Sequence, residues 1–184
     1  MAPLAEHIKF IGDIVESQQT YARAAGLIEV VSVSKLFDFA ITLVAPHNLA
    51  AIEIKRELDE DITLEVDRQK VVQILSNLVK NGLEAHAGHP QESPTIWLSS
   101  KRKGATTAQL SVRDNGAGIT KESQAKLFSF GYTTKQTGHG FGLHSCSNDA
   151  ISMGGSLSAR SDGVGQGAEF VLELPIRPDA NESK

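Results

Sequence analysis

Three groups of residues in this chain have the types and the spacing needed to hold a nucleotide. The first is Asn77 and Asn81, which are four residues apart and therefore share one face of a helix. An amide oxygen is a suitable ligand for Mg²⁺, which keeps several waters while it bridges substrate phosphates. Lys80 adds a positive charge on the neighbouring face. Two polar residues on a helix are also compatible with a solvated surface, so the pair alone leaves both interpretations open.

The second group is the sequence D-x-G-x-G at residues 114–118, directly after an alternating segment typical of a strand. A carboxylate at the end of a strand, here Asp114, can accept a hydrogen bond from the exocyclic amine of adenine. Gly116 and Gly118 allow the backbone to turn sharply and to approach a flat ring closely. The same residues are also typical of a plain hairpin turn, and this motif alone does not decide between the two.

The third group consists of the alternating glycines Gly138, Gly140 and Gly142, preceded by Lys135 and followed by a segment with helical periodicity. Exposed backbone N–H groups, the positive end of a helix and a mobile lysine together suit a polyphosphate. A threonine-rich loop precedes these glycines where a dinucleotide-binding βαβ unit would have a strand, and no Walker A sequence is present.

The elements that must position these groups follow from hydrophobic periodicity, caps and breakers. We expect Ser34 and Asp67 to cap helices, and Gly104 to form a turn between two strands. The predicted helices cover residues 4–25, 35–44, 68–85, 121–127 and 141–153. The predicted strands cover residues 30–33, 51–58, 62–66, 95–103, 108–113, 156–161 and 168–174. Strands and helices do not alternate strictly, which favours a layered α+β sandwich over a doubly wound parallel sheet.

The composition limits the class of protein. The chain has 184 residues, 40% hydrophobic and 22% charged, with a formal net charge of −4, as expected for one soluble domain or for one domain with a short extension. It has neither a basic stripe for nucleic acid or an acidic membrane surface nor a long apolar run for a membrane span. We therefore expect a cytoplasmic chain, compatible with a parent protein anchored in the inner membrane. Its one cysteine, Cys146, is expected to be structural and either buried or half-buried.

Taken in order along the chain, these motifs resemble the catalytic, ATP-binding domain of sensor histidine kinases. That domain belongs to the Bergerat or GHKL group, which also includes DNA gyrase, HSP90 and MutL. The resemblance covers residues 36–176: an N box at 77–85, a G1 box at 114–118, an F box at 127–135 and a G2 box at 138–143. The closing sequence at 165–170 and the Leu-Pro pair at 174–175 also match.

The resemblance implies a two-layer sandwich with a mixed, mostly antiparallel sheet, helices on one face and an additional N-terminal helix. ATP and Mg²⁺ would be the cofactors. Asn81 would hold the metal ion, Asn77 would support the phosphates or a water, and Asp114 would recognise the adenine amine. Lys80 and Lys135 would be catalytic together with Asn77. The nucleotide would also contact Gly116, Gly118, Ile119, Phe128, Thr133, Thr134, Lys135, Gly138, His139, Gly140, Phe141, Gly142 and Leu143.

The resemblance also suggests a division of the chain and its partners. Residues 1–26 would be the second helix of a dimerisation and phosphotransfer hairpin, 27–178 the catalytic domain and 179–184 a disordered tail. The apolar stripe on the first helix could pack on its own domain or on a partner chain, and its spacing leaves both open. The partners would be the kinase's own dimerisation domain, a response regulator and, in the full-length protein, a second copy.

Several positions depart from the pattern of the wider group. Asn77 stands where the gyrase and HSP90 branch has a water-activating glutamate, so we expect poor ATP hydrolysis and phosphoryl transfer to a histidine. Ala168 stands where many relatives have a threonine near the adenine. His7 is not in an acceptor-like sequence, so the phosphorylated histidine should lie outside this chain. His86 and His89 are interpreted as surface residues, since no set of metal ligands surrounds them.

Three other functions compete with the kinase interpretation. The first is a nucleotide-gated conformational module of the gyrase, HSP90 and MutL type, which Asn77 argues against. The second is an anti-sigma serine kinase, which the N-terminal helix disfavours. The third is a scaffold without nucleotide, against which the complete set of Asn81, Asp114 and the glycines argues.

Overall fold

A computed structural model of the chain describes residues 26–44, 52–87, 91–135 and 140–176. Within these ranges the chain forms seven strands and four helices. In chain order they are β1 (Ile28–Ser32), α1 (Val33–Val44), β2 (Glu53–Glu57), β3 (Thr63–Asp67), α2 (Arg68–Ala85), β4 (Thr95–Lys103), β5 (Thr107–Asp114), α3 (Lys121–Lys126), α4 (Gly142–Ser152), β6 (Ser156–Arg160) and β7 (Ala168–Pro175).

The main sheet has five strands in the order β2-β4-β5-β7-β6. β2 runs parallel to β4, and all the other neighbours in this sheet are antiparallel. The parallel pair arises because the chain leaves β2, passes through β3 and α2, and only then enters β4, which is the long crossover that parallel strands need. β1 and β3 form a separate antiparallel pair. The mixed, mostly antiparallel sheet agrees with the prediction.

The two faces of the sheet differ because side chains along a strand alternate in direction. Ile96, Leu98, Leu110 and Leu172 are fully buried and form the face covered by helices. The other face carries mostly polar side chains, and several of them, such as Ser99, Gln109 and Glu173, are only partly buried. Burying one such aliphatic side chain contributes about 1.5 to 3 kcal/mol, so this alternation fixes which face of the sheet the helices cover.

Helix α2 lies at the centre of the helical layer and carries the predicted N box. Its N-cap is Asp67, whose Oδ1 accepts a hydrogen bond from the backbone N–H of Lys70 at 3.2 Å. Lys70 Nζ also donates to Ser152 Oγ at 3.1 Å, which brings the start of α2 beside the end of α4. The apolar side of the helix is buried, as its periodicity predicts: Val71, Ile74, Leu75, Leu78 and Val79.

One predicted cap is wrong. Helix α1 begins at Val33 and therefore includes Ser34, which contacts Ser32 Oγ at 3.3 Å. Val33 is fully buried and its N–H donates to Ile62 O at 3.0 Å, so tertiary packing starts the helix two residues early. The other predicted boundaries within the described ranges agree to within two residues. The predicted helix at 4–25 and tail at 179–184 lie outside the described residues.

No helix within the described ranges has the length and the apolar composition that crossing a bilayer requires.

Candidate functional site

Asp114 is a buried carboxylate at the end of β5, directly opposite Ala168 of β7. Only 3% of the residue is exposed, and its Oδ1 accepts a hydrogen bond from the backbone N–H of Gly116 at 2.9 Å. Desolvation by burial raises the pKa of Asp114, while backbone hydrogen bonds from Gly116 and Ala168 and the nearby His86 partly oppose this rise. The Asp114 carboxylate is therefore a hydrogen-bond acceptor with little access to water, which favours contact with a donor group of a ligand.

The G1 turn after Asp114 needs its two glycines for steric reasons. A Cβ at Gly116 would lie 2.6 Å from the carbonyl oxygen of Ala85 at the end of α2. Gly118 has a φ of +68°, and a Cβ there would collide with the carbonyl oxygen of Gly163. The chain continues from this turn into α3, so the turn does not form the hairpin that the sequence also allowed.

Backbone hydrogen bonds hold the G1 turn between two other parts of the fold. Ala117 N donates to Ala85 O at 2.9 Å, which attaches the turn to the end of α2. On the other side, Gly165 N donates to Ala117 O at 2.7 Å and Gly167 N to Gly116 O at 3.2 Å. The backbone that would approach a ligand ring is therefore fixed before any ligand arrives.

Asn77 lies on α2, and its side chain faces α4. Its Nδ2 donates to the buried Sγ of Cys146 at 3.2 Å. Asn77 Oδ1 is the nearest atom to the position of a Cβ on Gly142, at 3.9 Å, so the amide oxygen faces the first residue of α4. Burial raises the pKa of Cys146 to about 11, which keeps the thiol neutral and agrees with the prediction of a buried or half-buried structural cysteine.

Asn81 and Glu84 both contact the ammonium group of Lys135. Lys135 Nζ donates to Asn81 Oδ1 at 2.8 Å and forms a short ion pair with Glu84 Oε2. Lys80 approaches the other carboxylate oxygen, Glu84 Oε1, at 3.9 Å. Glu84 was considered from the sequence only as a metal ligand together with His86 and His89, and it was given no role in the nucleotide site. Its position three residues after Asn81 places it on the same face of α2.

The F box lies beside the start of α4. Phe128 packs against the core, and its carbonyl oxygen accepts a hydrogen bond from His144 Nδ1 at 3.0 Å. The Phe130 ring contacts Phe141 and His144, with centroid distances of 4.8 and 5.4 Å. His144, which was not among the predicted site residues, therefore connects the F box to α4.

The remaining predicted site residues are distributed around these groups. Ile119 is half-buried and its N–H donates to Ser161 Oγ at 3.0 Å, whereas Leu143 packs against the core.

Thr133 Oγ1 accepts from the backbone N–H of Lys135 at 3.1 Å, and Thr134 is exposed. Gly140 has a φ of +71° immediately before α4. Gly138 and His139 lie outside the described residues.

His86 is not the surface residue that the sequence suggested. It is half-buried, with Nδ1 at 2.8 Å from Gly82 O and Nε2 at 2.8 Å from Asn115 Oδ1. Asn115 Oδ1 also accepts from Thr95 N at 2.8 Å, so this cluster joins α2, β4 and the G1 turn. His89 lies outside the described residues, and within the described ranges no group of three histidine, cysteine or acidic side chains could hold a metal ion.

These residues fit a nucleotide carrying a metal ion. Asp114 is a buried acceptor beside the G1 turn, and the amide oxygen of Asn77 faces the N-terminal end of α4. Two shallow depressions, of about 170 and 230 Å³, lie elsewhere, on the polar outer face of the sheet, and none of their lining residues belongs to the predicted site.

Residues 66–178 match the model of the family described as histidine kinase-, DNA gyrase B- and HSP90-like ATPases. Because this match covers more than half of the chain, the chain belongs to that family, with the ATP-binding domain of a sensor histidine kinase as its class. The prediction made from the order of the boxes is thereby confirmed.

Two curated relatives, a histidine-protein kinase and a sensor protein, are much longer than this chain. It is 30% identical over 155 residues to the signal transduction histidine-protein kinase AtoS of Escherichia coli K12, covering 83% of this chain and 25% of AtoS. It is 34% identical over 108 residues to the sensor protein TdiS of Thauera aromatica, covering 58% of this chain and 20% of TdiS. The chain thus spans between a fifth and a quarter of these two relatives.

Solved structures confirm the predicted α+β sandwich. The catalytic domain of the histidine kinase ThkA superposes with a TM-score of 0.69 at 28% identity, covering 81% of this chain and 95% of that domain. Full-length ShkA, crystallised with AMPPNP, superposes with a TM-score of 0.70 at 25% identity, covering 85% of this chain and 34% of ShkA.

Proposed function

We propose that this chain binds ATP with Mg²⁺ and presents the γ-phosphoryl group to a histidine of the kinase's own dimerisation domain. The observation that carries the proposal is the buried Asp114 beside a glycine turn, on the same side of the fold as Asn77, Asn81 and the start of α4. One end of this region suits a flat base, and the other suits a charged phosphate chain.

Asp114 would recognise adenine by accepting a hydrogen bond from its exocyclic amine. Guanine has a carbonyl oxygen at the corresponding position, so two acceptors would face each other and the base would be disfavoured. The backbone at Gly116 and Gly118 would lie along the ring, with Ile119 and Phe128 as apolar neighbours. We therefore expect ATP to bind in preference to GTP.

The phosphates would lie between α2 and the start of α4. Asn81 would present Oδ1 as the metal ligand, and Asn77 Oδ1 would orient the phosphates or a water. The N–H groups of Gly142 and Leu143, at the positive end of α4, would bind phosphate oxygens together with Lys135. Lys80 would add positive charge. We expect the nucleotide also to contact Thr133, Thr134, Gly138, His139, Gly140 and Phe141. The bound Mg²⁺ would neutralise charge on the phosphates.

Phosphoryl transfer suits this site better than hydrolysis. Asn77 is a carboxamide and cannot take a proton from an attacking water, and its Nδ2 is engaged by Cys146. The acceptor would come from the dimerisation domain, to which residues 1–26 would belong, in a homodimer that passes the phosphoryl group to a response regulator. Residues 27–178 would form the catalytic domain.

A transfer assay tests this proposal. The chain is mixed with radiolabelled ATP, Mg²⁺ and the separately produced dimerisation domain of its parent kinase, and acid-labile phosphate on that domain is measured. The expected result is labelling that disappears when the acceptor histidine of that domain is replaced by glutamine. ATP hydrolysis without any labelling would instead favour the gyrase-type conformational module. Calorimetry that detects no binding of ATP, with or without Mg²⁺, would contradict nucleotide binding itself.

The replacement Asn77→Glu separates transfer from hydrolysis further. It places a carboxylate where a water could be activated, so we expect ATP hydrolysis to rise while labelling of the acceptor histidine falls. The matched control is Asn77→Gln, which lengthens the side chain equally but provides no base. A wild-type chain that already hydrolyses ATP as fast as the Asn77→Glu variant would argue against a transferase.

A further inference from the structure

Two oxygen atoms on α2 converge on one positively charged group. Asn81 Oδ1 accepts from Lys135 Nζ at 2.8 Å, and Glu84 Oε2 forms a short ion pair with the same nitrogen. Lys135 is 51 residues from Glu84 and 54 from Asn81 in the chain, so the contact is made by the fold and not by the helix alone. The two oxygens therefore define a position for a cation at the phosphate end of the proposed site.

We propose that Glu84 and Asn81 form one cation position with two alternative occupants, the ammonium group of Lys135 in the nucleotide-free chain and Mg²⁺ when nucleotide is bound. Glu84 then acts as a second oxygen donor to the metal ion beside Asn81. A carboxylate and an amide oxygen are the donors that Mg²⁺ accepts from proteins when substrate phosphates supply further ligands. This inference rests on the nucleotide-binding function proposed above.

The charges around Glu84 explain why the occupants should exchange. The Glu84 carboxylate lies between Lys135 and Lys80, and Lys80 Nζ is 3.9 Å from Glu84 Oε1. If Lys135 moved to the phosphates with no metal ion present, Glu84 would lose its nearest positive charge beside a polyanion, which Coulomb repulsion opposes. A divalent cation removes this conflict, because it neutralises Glu84 and frees Lys135 at the same time.

Glu84 therefore makes nucleotide binding depend on metal. Without metal, the phosphates and Glu84 compete for Lys135. With metal, Lys135 and the metal ion both contact the phosphates. Removing the charge of Glu84 should therefore strengthen nucleotide binding without metal and reduce the gain in affinity that the metal provides. A merely structural side chain would not have these two opposite effects.

The first measurement uses calorimetry of ADP binding to the whole chain, in EDTA and in Mg²⁺. In Glu84→Gln, we expect metal-free ADP to bind about threefold to fivefold more tightly, the size typical of a half-exposed ion pair. The enhancement of ADP affinity by Mg²⁺ should fall by at least the same factor. Glu122→Gln is the matched control, because Glu122 forms an exposed ion pair with Lys126 within a different helix, α3.

The second measurement uses Mn²⁺ as a paramagnetic probe and needs no nucleotide. Free Mn²⁺ is quantified by electron paramagnetic resonance during titration of the protein. In Lys135→Met the ammonium occupant is gone, so Mn²⁺ should bind more tightly than to the wild type. Adding Glu84→Gln to this variant should reverse the gain. Circular dichroism melting of every variant establishes that the compared chains are folded.

The outcomes separate this inference from the function on which it rests. Glu84→Gln indistinguishable from Glu122→Gln, with normal wild-type binding of Mg²⁺-ADP, would overturn the inference and leave the proposed function intact. An equal loss of ADP affinity with and without metal would also overturn it, because Glu84 would then be a structural residue. A wild-type chain that binds no nucleotide would overturn both.

Discussion

Replacing Asp114 with asparagine tests adenine recognition while hardly changing the shape of the site. A carboxylate has two acceptor oxygens, whereas a carboxamide has one acceptor and one donor. Asp114 Oδ1 already accepts from Gly116 N at 2.9 Å. If the asparagine oxygen keeps that bond, its amide group faces the adenine amine with a donor. If the amide group turns around, its NH2 group faces the backbone N–H of Gly116, so that two donors meet.

The size of the effect follows from the charge and the burial of Asp114. A hydrogen bond to a charged group contributes about 1.5 to 3 kcal/mol, so we expect Asp114→Asn to weaken ATP binding between about tenfold and about 150-fold. The stability of the folded chain should not fall together with its affinity for ATP. Since burial raises the pKa of Asp114, the ionised carboxylate costs free energy in the folded chain, and the neutral asparagine avoids this cost.

The stability difference between the wild type and Asp114→Asn should depend on pH. A carboxyl group whose pKa is raised by folding contributes stability below its unfolded pKa and loses that contribution as the pH rises through the folded pKa. The free energy of unfolding of Asp114→Asn should therefore be at least equal to that of the wild type at pH 7. Its advantage over the wild type should shrink as the pH falls into the acidic range.

The assay is a double-mutant cycle measured by calorimetry. Wild type and Asp114→Asn are each titrated with ATP and with purine riboside triphosphate, which lacks the exocyclic amine. We expect the substitution to weaken ATP much more than the amine-free analogue, and urea unfolding at two pH values to give the stability comparison. Asp162→Asn, at an exposed carboxylate, is the control.

Two results would refute the reasoning. Equal losses for ATP and for the amine-free analogue would mean that Asp114 does not contact the amine. A variant that is clearly less stable than the wild type at pH 7 would mean that burial of the charge is not a net cost.

Three further predictions test the core and the turn. Cys146 should resist alkylation at pH 8 until the chain is unfolded, because its pKa is about 11 and it is buried; rapid labelling of native protein would contradict this. Leu78→Ala, at a fully buried position of α2, should lower the free energy of unfolding by about 2 to 5 kcal/mol in urea titration, and a loss near zero would place Leu78 outside the core. Gly116→Ala should cost about 1 to 3 kcal/mol and weaken ATP binding, because its Cβ would lie 2.6 Å from Ala85 O; wild-type stability and affinity would show that the turn relaxes freely.

Much of the fold could be predicted because local geometry leaves a periodic trace in the sequence. Helix α2 is recognisable from its apolar spacing and from Asp67, whose cap bond spans only three residues. The alternation in β4 and β5 records which face is buried. The start of α1 could not be predicted this way, because Val33 joins the helix through a backbone bond to Ile62, 29 residues away in the chain.

The sequence by itself determined the class of protein, since the order of the boxes and the types of residue within them are properties of the chain. Tertiary structure alone decided that β2 pairs parallel to β4, that Asp114 is buried, and that Glu84 holds Lys135 from 51 residues away. Hydrophobic periodicity reports only which face of each element is buried. Which elements meet, and hence which charges lose water or gain a partner, depends on how the whole chain packs.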